Sequence, residues 1–269
     1  MKLPDTKSEI VFNMALEKIL LYGPPKIGKT QLVNALFQQL GVKGLFIATE
    51  RGHSKINAYV QDVNSWIEFK DTIKAVRESK EFQTVAIDTT SVLWQLFIRD
   101  WCQAKGIDYE NSGKEWGFGK GLVVSVREFT QEFIQLQNVG KGVIFITHES
   151  RWEEDFEGKE RSFFGPDLPY DKNSLIKATI CGLVDSIIYM TMGTSIDGGA
   201  LHTSVRMLRT APTAKGEYLA GARFNWTDPI TLINDDPDGS AKRWANAYRL
   251  AQKEQMEKQQ PKPTEVKKP

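Results

Sequence analysis

The run Gly23-Pro24-Pro25-Lys26-Ile27-Gly28-Lys29-Thr30 constrains this chain more than any other stretch. It has the pattern G-x-x-x-x-G-K-[ST]. The apolar run Ile19-Leu20-Leu21-Tyr22 precedes it, and Leu32, Val33, Leu36, Phe37 and Leu40 follow at helical spacing. An apolar run ending in glycine reads as a buried strand entering a turn, and the periodic residues read as a helix from Lys29 that stops at Gly41. In such a loop the glycines let backbone N–H groups turn inward around phosphates. Lys29 then reaches the β- and γ-phosphates, and the Thr30 hydroxyl ligates magnesium. The helix start adds the positive end of its dipole. Gly23, Pro24, Pro25, Lys26, Ile27, Gly28, Lys29, Thr30 and Gln31 are therefore the expected contacts of a nucleotide, ATP with Mg²⁺. The alternative, a glycine turn with an incidental lysine, does not account for the strand and helix on either side.

Three more apolar runs follow: Leu45-Phe46-Ile47-Ala48, Thr84-Val85-Ala86-Ile87 and Val143-Ile144-Phe145-Ile146. None alternates apolar with polar, which is the mark of parallel strands covered on both faces. Helical stretches over about 70–79, 91–104 and 121–138 separate them. The alternation predicts an α/β fold with a doubly wound, mostly parallel sheet and helices on both faces. Beyond Asp185, residues 186–191 and 205–209 read as later strands around a Gly198-Gly199 turn. A last helix over about 241–258 carries Trp244, Tyr248 and Ala251 on one face. The expected organisation is an N-terminal extension (1–15), a main domain (16–239), a C-terminal helix (240–258) and a Pro/Lys/Gln-rich tail (259–269) that composition predicts to be disordered. Two connections, over about 105–120 and 149–174, exceed the usual length, as functional loops often do.

Lys and Arg number 35 against 34 Asp and Glu, a formal charge of +1. No global field draws in a polyanion, so a nucleic acid would need a local basic patch. The two cysteines, Cys102 and Cys181, stand far apart, which fits a reducing compartment and argues against a disulfide framework. With only three histidines, a zinc site is not expected. The N-terminal residues show no apolar signal core, and no apolar run approaches the roughly 20 residues of a membrane span. A soluble, intracellular protein is expected.

Asp88 closes the apolar run 84–87, the place from which an aspartate holds a magnesium shell; capping the next helix is its alternative role. Thr89 follows, where many P-loop ATPases carry a catalytic glutamate. Hydrolysis needs a group that orients or deprotonates the attacking water, and Glu50, at the end of the 45–49 run, is the candidate. His148 ends the 143–147 run, where a polar side chain would face the γ-phosphate from the carboxyl edge of the sheet; an ordinary loop histidine is the alternative. His53 and His202 stand alone and are assigned nothing.

Taken together, the P-loop, Ile47-Ala48-Thr49-Glu50, Val85-Ala86-Ile87-Asp88 and Phe145-Ile146-Thr147-His148 resemble the RecA-like ATPase core in order and spacing, over roughly 16–225. The Tyr-Gly-Pro-Pro start of the loop and the compact length look like the phage-encoded RecA-like ATPases, some of which are single-strand annealing or recombination proteins of the Sak type. The resemblance implies ATP hydrolysis, head-to-tail self-association, single-stranded DNA as partner, and a single-strand-binding protein as a further one. It also implies a cytoplasmic location, that of the host cell if the chain is phage-encoded. It assigns DNA contacts to the two long connections, here Lys114, Trp116, Phe118 and Lys120 in the first, and Arg151, Trp152, Lys159, Arg161, Phe163 and Phe164 in the second. Aromatics among cations suit a single strand, since bases stack and phosphates pair; packing of those rings on the core is the alternative. Glu149, Glu153, Glu154, Asp155 and Glu157 in the second connection oppose a DNA role. The family also completes its site with a basic residue from the adjacent subunit, for which Lys215 and Arg223 are the candidates.

Three activities remain open on this reading: a DNA-binding ATPase of recombination or annealing, a helicase-like or motor ATPase in replication, and a regulatory P-loop ATPase or small-molecule kinase that binds no DNA.

Overall fold

A computed structural model of the chain describes residues 12–110, 112–156, 159–168, 175–197, 200–224 and 226–259. Strand β1 (Lys18–Gly23) leads through the glycine-rich turn into α1 (Lys29–Leu40), followed by β2 (Gly44–Ala48) and a short β3 (Tyr59–Asp62). Next come α2 (Trp66–Glu78), β4 (Thr84–Asp88), α3 (Thr90–Lys105), a single turn α4 (Gly113–Trp116) and α5 (Lys120–Asn138). The second half holds β5 (Gly142–Phe156), β6 (Lys159–Pro166), α6 (Leu175–Leu183), β7 (Ser186–Asp197), β8 (Ala200–Arg209), β9 (Gly221–Ala222), β10 (Ile230–Thr231) and α7 (Pro237–Gln259).

Among the described residues the strands form one ten-stranded sheet in the order β10-β8-β7-β1-β5-β4-β2-β3, with β6 on β5 and β9 on β7. The six strands β7, β1, β5, β4, β2 and β3 pair in parallel. Strands β6, β8, β9 and β10 join antiparallel. Successive residues of each central strand bury on opposite faces. Leu20, Ile47, Val85, Ile87, Val143 and Phe145 meet the side chains of α2, α3, α5 and α6. Ile19, Leu21, Phe46, Ala86, Ile144 and Ile146 meet those of α1 and α7. Two apolar faces per strand explain why these runs show no alternation.

Helix α2 starts at Trp66, ahead of the expected 70. Ser65 Oγ accepts from Glu68 N at 3.2 Å and Glu68 Oε2 accepts from Asn64 N at 2.8 Å, a form of the S-x-x-E cap. Helix α7 starts at Pro237, since a proline fits a first helical turn, and ends at Gln259, where the tail was expected to begin. Its Trp244, Ala245 and Tyr248 are buried in the same core as α1. Residues 1–11 of the expected extension, the Gly198-Gly199 turn and 260–269 lie outside the described residues.

One expectation is corrected. Much of the 149–174 connection is not a loop: β5 runs on beyond the parallel sheet and pairs with β6 from Glu149↔Pro166 to Phe156↔Lys159, a β-hairpin. Strand β3 was not anticipated, because it lies at the sheet edge, mostly exposed, with no apolar run to mark it. Among the described residues no helix is long and apolar enough to cross a membrane.

Candidate active site

The P-loop lies where β1 ends between β5 and β7. A Cβ on Gly23 would stand 2.1 Å from the Met190 carbonyl oxygen, so no larger residue fits there. Gly28 precedes α1 with φ 100° and offers no side-chain cap; glycine adopts that backbone without strain. The first-turn N–H groups of α1 have no intrahelical acceptor, and Lys29, Thr30 and Gln31 line a cavity of about 490 Å³. An uncapped helix start of this kind is a ready anion site.

Within the loop, Lys29 Nζ donates to the carbonyls of Gly23 and Pro24, each at 2.8 Å. Burial pushes its ammonium down to about 8, against the opposing pull of Asp88, Glu149 and Glu50. Thr30 Oγ1 donates to Asp88 Oδ2 at 2.6 Å. This pair of oxygens is the donor set a magnesium ion takes beside nucleotide phosphates, keeping several waters. Among the described residues no group of three or more His, Cys, Asp or Glu is placed to cage a metal.

Strand register brings the remaining groups together. Ala48 of β2 pairs with Asp88 of β4, and His148 of β5 pairs with Gly23, so Glu50, Asp88 and His148 reach the same carboxyl edge and line the same cavity. Thr89 answers the missing glutamate after Asp88. Its backbone N–H donates to Thr49 Oγ1 at 2.9 Å, and Thr49 Oγ1 donates to the Thr89 carbonyl at 3.0 Å. The Thr89 hydroxyl donates to Glu50 Oε1 at 3.0 Å. The Glu50 carboxylate, reaching in from the neighbouring strand, is thus oriented by the residue that follows Asp88.

Two residues that the sequence did not single out meet this site. His53 buries its ring against Phe46, centroids 5.4 Å apart, with Nε2 at 3.2 Å from Asp88 Oδ2. The signal was its place three residues after Glu50, in the loop that leaves the same strand. Arg206, on β8, donates from Nη2 to the Ile233 carbonyl at 3.0 Å and from Nη1 to the Ile27 carbonyl at 3.5 Å, bracing the P-loop backbone. No local pattern marks it. A larger cavity, about 670 Å³ between β3 and α2, is lined by Tyr59, Asp71 and Ala75 among others and by none of the groups above; volume alone does not locate the chemistry.

The two basic candidates lie apart. Lys215 is exposed in a turn closed by Gly216 N to the Thr213 carbonyl at 2.9 Å, and Glu217 clips that turn to β6 through Phe164 N at 2.8 Å. Arg223 pairs with Asp185 at 3.2 Å. Asp185 also accepts from Lys18 N at the opposite end of β1, so Arg223 does not approach the P-loop of its own chain.

The candidate DNA residues divide as well. Lys114, Phe118 and Lys120 are exposed, Phe118 fully so. Trp116 packs edge-on against Trp101 at 5.2 Å, with Lys105 and Lys120 over its ring. On the hairpin Trp152 and Phe163 stack on one face at 6.1 Å, with Lys177 Nζ 4.6 Å from the Trp152 centroid. Phe164 turns to the other face and stacks on Tyr189. Arg151 pairs with Glu153 at 2.8 Å, and Glu149 turns inward to accept from the Tyr189 hydroxyl. Arg161 is half-buried; the Lys159 side chain, Glu157 and the Glu154 side chain lie outside the described residues.

Comparison with curated proteins finds no match. Comparison with family models finds one, that of the AAA domain, over residues 16–223. The matched stretch opens just before β1 and closes within two residues of the end of β9, so it contains every group placed around the nucleotide cavity. The chain belongs to the AAA-domain family, and its core is a P-loop ATPase domain.

Proposed function

We propose that this protein hydrolyses ATP with magnesium while holding single-stranded DNA, as a head-to-tail oligomer acting in recombination or strand annealing of the phage Sak type. The observation that carries the reading is β5. It runs from the sheet through His148, beside the P-loop, directly into the hairpin that bears Trp152, with Arg161 and Phe163 on the paired strand. The phosphate end of that strand and the aromatic face therefore belong to one continuous strand, with no loop between them.

In the cavity, the first-turn N–H groups of α1 and the Lys29 ammonium bind the phosphates, and Thr30 and Asp88 hold the ion. Magnesium, when bound, neutralises charge on the β- and γ-phosphate oxygens. Glu50, oriented by the Thr89 hydroxyl, positions the attacking water and accepts its proton at the carboxylate. Glu50→Gln is therefore expected to bind ATP with unchanged affinity while turnover falls about 10²–10⁴-fold. Nucleotide titration beside steady-state hydrolysis checks this, and normal turnover in E50Q moves the water-positioning role to another residue.

The DNA part is tested by measuring the hydrolysis rate with and without single-stranded DNA. Stimulation is expected; its absence points to a regulatory ATPase, and strand displacement in a separate assay points to a motor. Trp152→Ala and Phe163→Ala are expected to weaken DNA binding by about 1–3 kcal/mol per lost stacked base and to leave ATP binding intact. Arg161→Ala is expected to reduce the salt slope by about 0.7 per lost phosphate contact. Arg151→Ala is expected to lower the slope by less than one full contact, because its guanidinium is paired with Glu153. DNA affinity indifferent to all of these changes places the strand elsewhere on the surface.

A further inference from the structure

Six buried side-chain polar atoms among the described residues have no hydrogen-bond partner, and three of them belong to the two histidines of the nucleotide cavity: His53 Nδ1 and Nε2, and His148 Nδ1. The His53 side chain is 8% exposed. Its Nε2 approaches Asp88 Oδ2 without the alignment of a hydrogen bond, and that oxygen already accepts from Thr30. Buried polar atoms are nearly always paired, and orphans that line an open cavity, as those of both histidines do, have room for a partner supplied from outside the chain. The partner needed here is small, polar and adjacent to Asp88. Magnesium keeps several of its waters, so an ion held by Thr30 and Asp88 brings such partners to the side where His53 lies.

Resting on the active-site reading above, we propose that His53 is a positioning residue for the magnesium–nucleotide complex. Its imidazole bonds the water shell of the ion next to Asp88. By doing so it draws in the loop that begins at Glu50, whose neighbouring residues Arg51, Gly52, Ser54 and Lys55 all face solvent. Phe46, fully buried in β2, fixes the ring in place. His53 then links occupancy of the ion site to the position of the carboxylate three residues before it.

The test uses the full chain and a fluorescent ADP analogue, titrated without magnesium and then with increasing magnesium. His53→Ala is expected to leave magnesium-free nucleotide affinity unchanged and to raise the magnesium midpoint of tight binding about 10–100-fold, the usual effect of losing a residue behind the metal ligands. His53→Gln, whose amide reaches near the Nε2 position, is expected to recover part of that loss. It carries the same test should the alanine variant fail to fold. Hydrogen exchange over 50–56 is expected to slow when magnesium and nucleotide bind to the wild type and to stay fast in H53A. A merely structural role shifts magnesium-free affinity and the melting temperature of the free protein, with no magnesium dependence. Wild-type protein that binds no nucleotide overturns the active-site reading, and this inference with it. Magnesium-dependent wild type beside an unchanged midpoint in H53A overturns the inference alone.

Discussion

Lys29→Ala is expected to reduce ATP hydrolysis to background and to weaken nucleotide binding by roughly ten- to hundredfold, since each charge-assisted hydrogen bond to a phosphate contributes about 1.5–3 kcal/mol. The geometry makes this position hard to replace. The ammonium is buried and held by the Gly23 and Pro24 carbonyls, so it is already positioned when phosphate arrives. Its titration gives a second readout. Burial lowers the folded-state value from the ordinary lysine range to about 8. In the free protein the native state therefore binds fewer protons than the unfolded chain above about pH 8. The destabilisation from burying the charge is fully present below that pH and is relieved as pH rises toward the ordinary lysine value. Nucleotide phosphates favour the ammonium and raise its value. Binding from about pH 8 upward then takes up a proton, and affinity falls by up to about tenfold per pH unit. Calorimetry in buffers of different ionisation heat checks the uptake, which K29A is expected to lack. Wild-type turnover in a K29A preparation would remove the basis of the nucleotide site.

The parts of this site that are legible in the sequence are those set by local rules. A glycine-rich turn between a buried strand and a periodic helix has few other uses. Lys29, Thr30, Glu50, Asp88 and His148 each stand on the P-loop or at the carboxyl end of an apolar run, and all five line one cavity. The parallel sheet was legible for the same reason, because strands buried on both faces leave continuous apolar runs. What escaped depends on tertiary meetings. His53 sits in an unpatterned polar loop and gains meaning only when Phe46 and Asp88 receive it from two adjacent strands. Arg206 reaches the P-loop from a strand late in the chain. The hairpin was hidden because Glu149-Ser150-Arg151-Trp152-Glu153-Glu154-Asp155 projects beyond the sheet, where neither face needs to be uniformly apolar. The aromatic-and-cation pattern of the two connections did not distinguish rings by facing: Trp116 packs on Trp101 and Phe164 on Tyr189, whereas Trp152 and Phe163 stack on each other on one face of the hairpin.

Lys215→Ala is expected to lose about 10³–10⁵-fold in turnover while still binding ATP, if the turn that carries it reaches the phosphates of a neighbouring subunit. The expected reason differs from that for Lys29: a cation reaching across an interface would act on transition-state charge while its own P-loop remains whole. Its setting fits such a task, since the side chain is exposed and the turn is clipped to the hairpin rather than free. Arg223→Ala gives the comparison between the two candidates: Arg223 is already paired with Asp185, and a loss of turnover in R223A with normal turnover in K215A would move the role to it. In a head-to-tail assembly the interface is heterologous, so each site joins the P-loop of one subunit to the cation of the next. Mixing K215A with K29A then restores function in part. Where a K215A subunit supplies the P-loop and a K29A neighbour supplies Lys215, the interface has both groups. Equal amounts and random assembly make roughly a quarter of interfaces of that kind. Recovery toward that fraction of wild-type activity supports a composite site, and no recovery in oligomers shown to be mixed confines Lys215 to its own subunit or to no role in turnover.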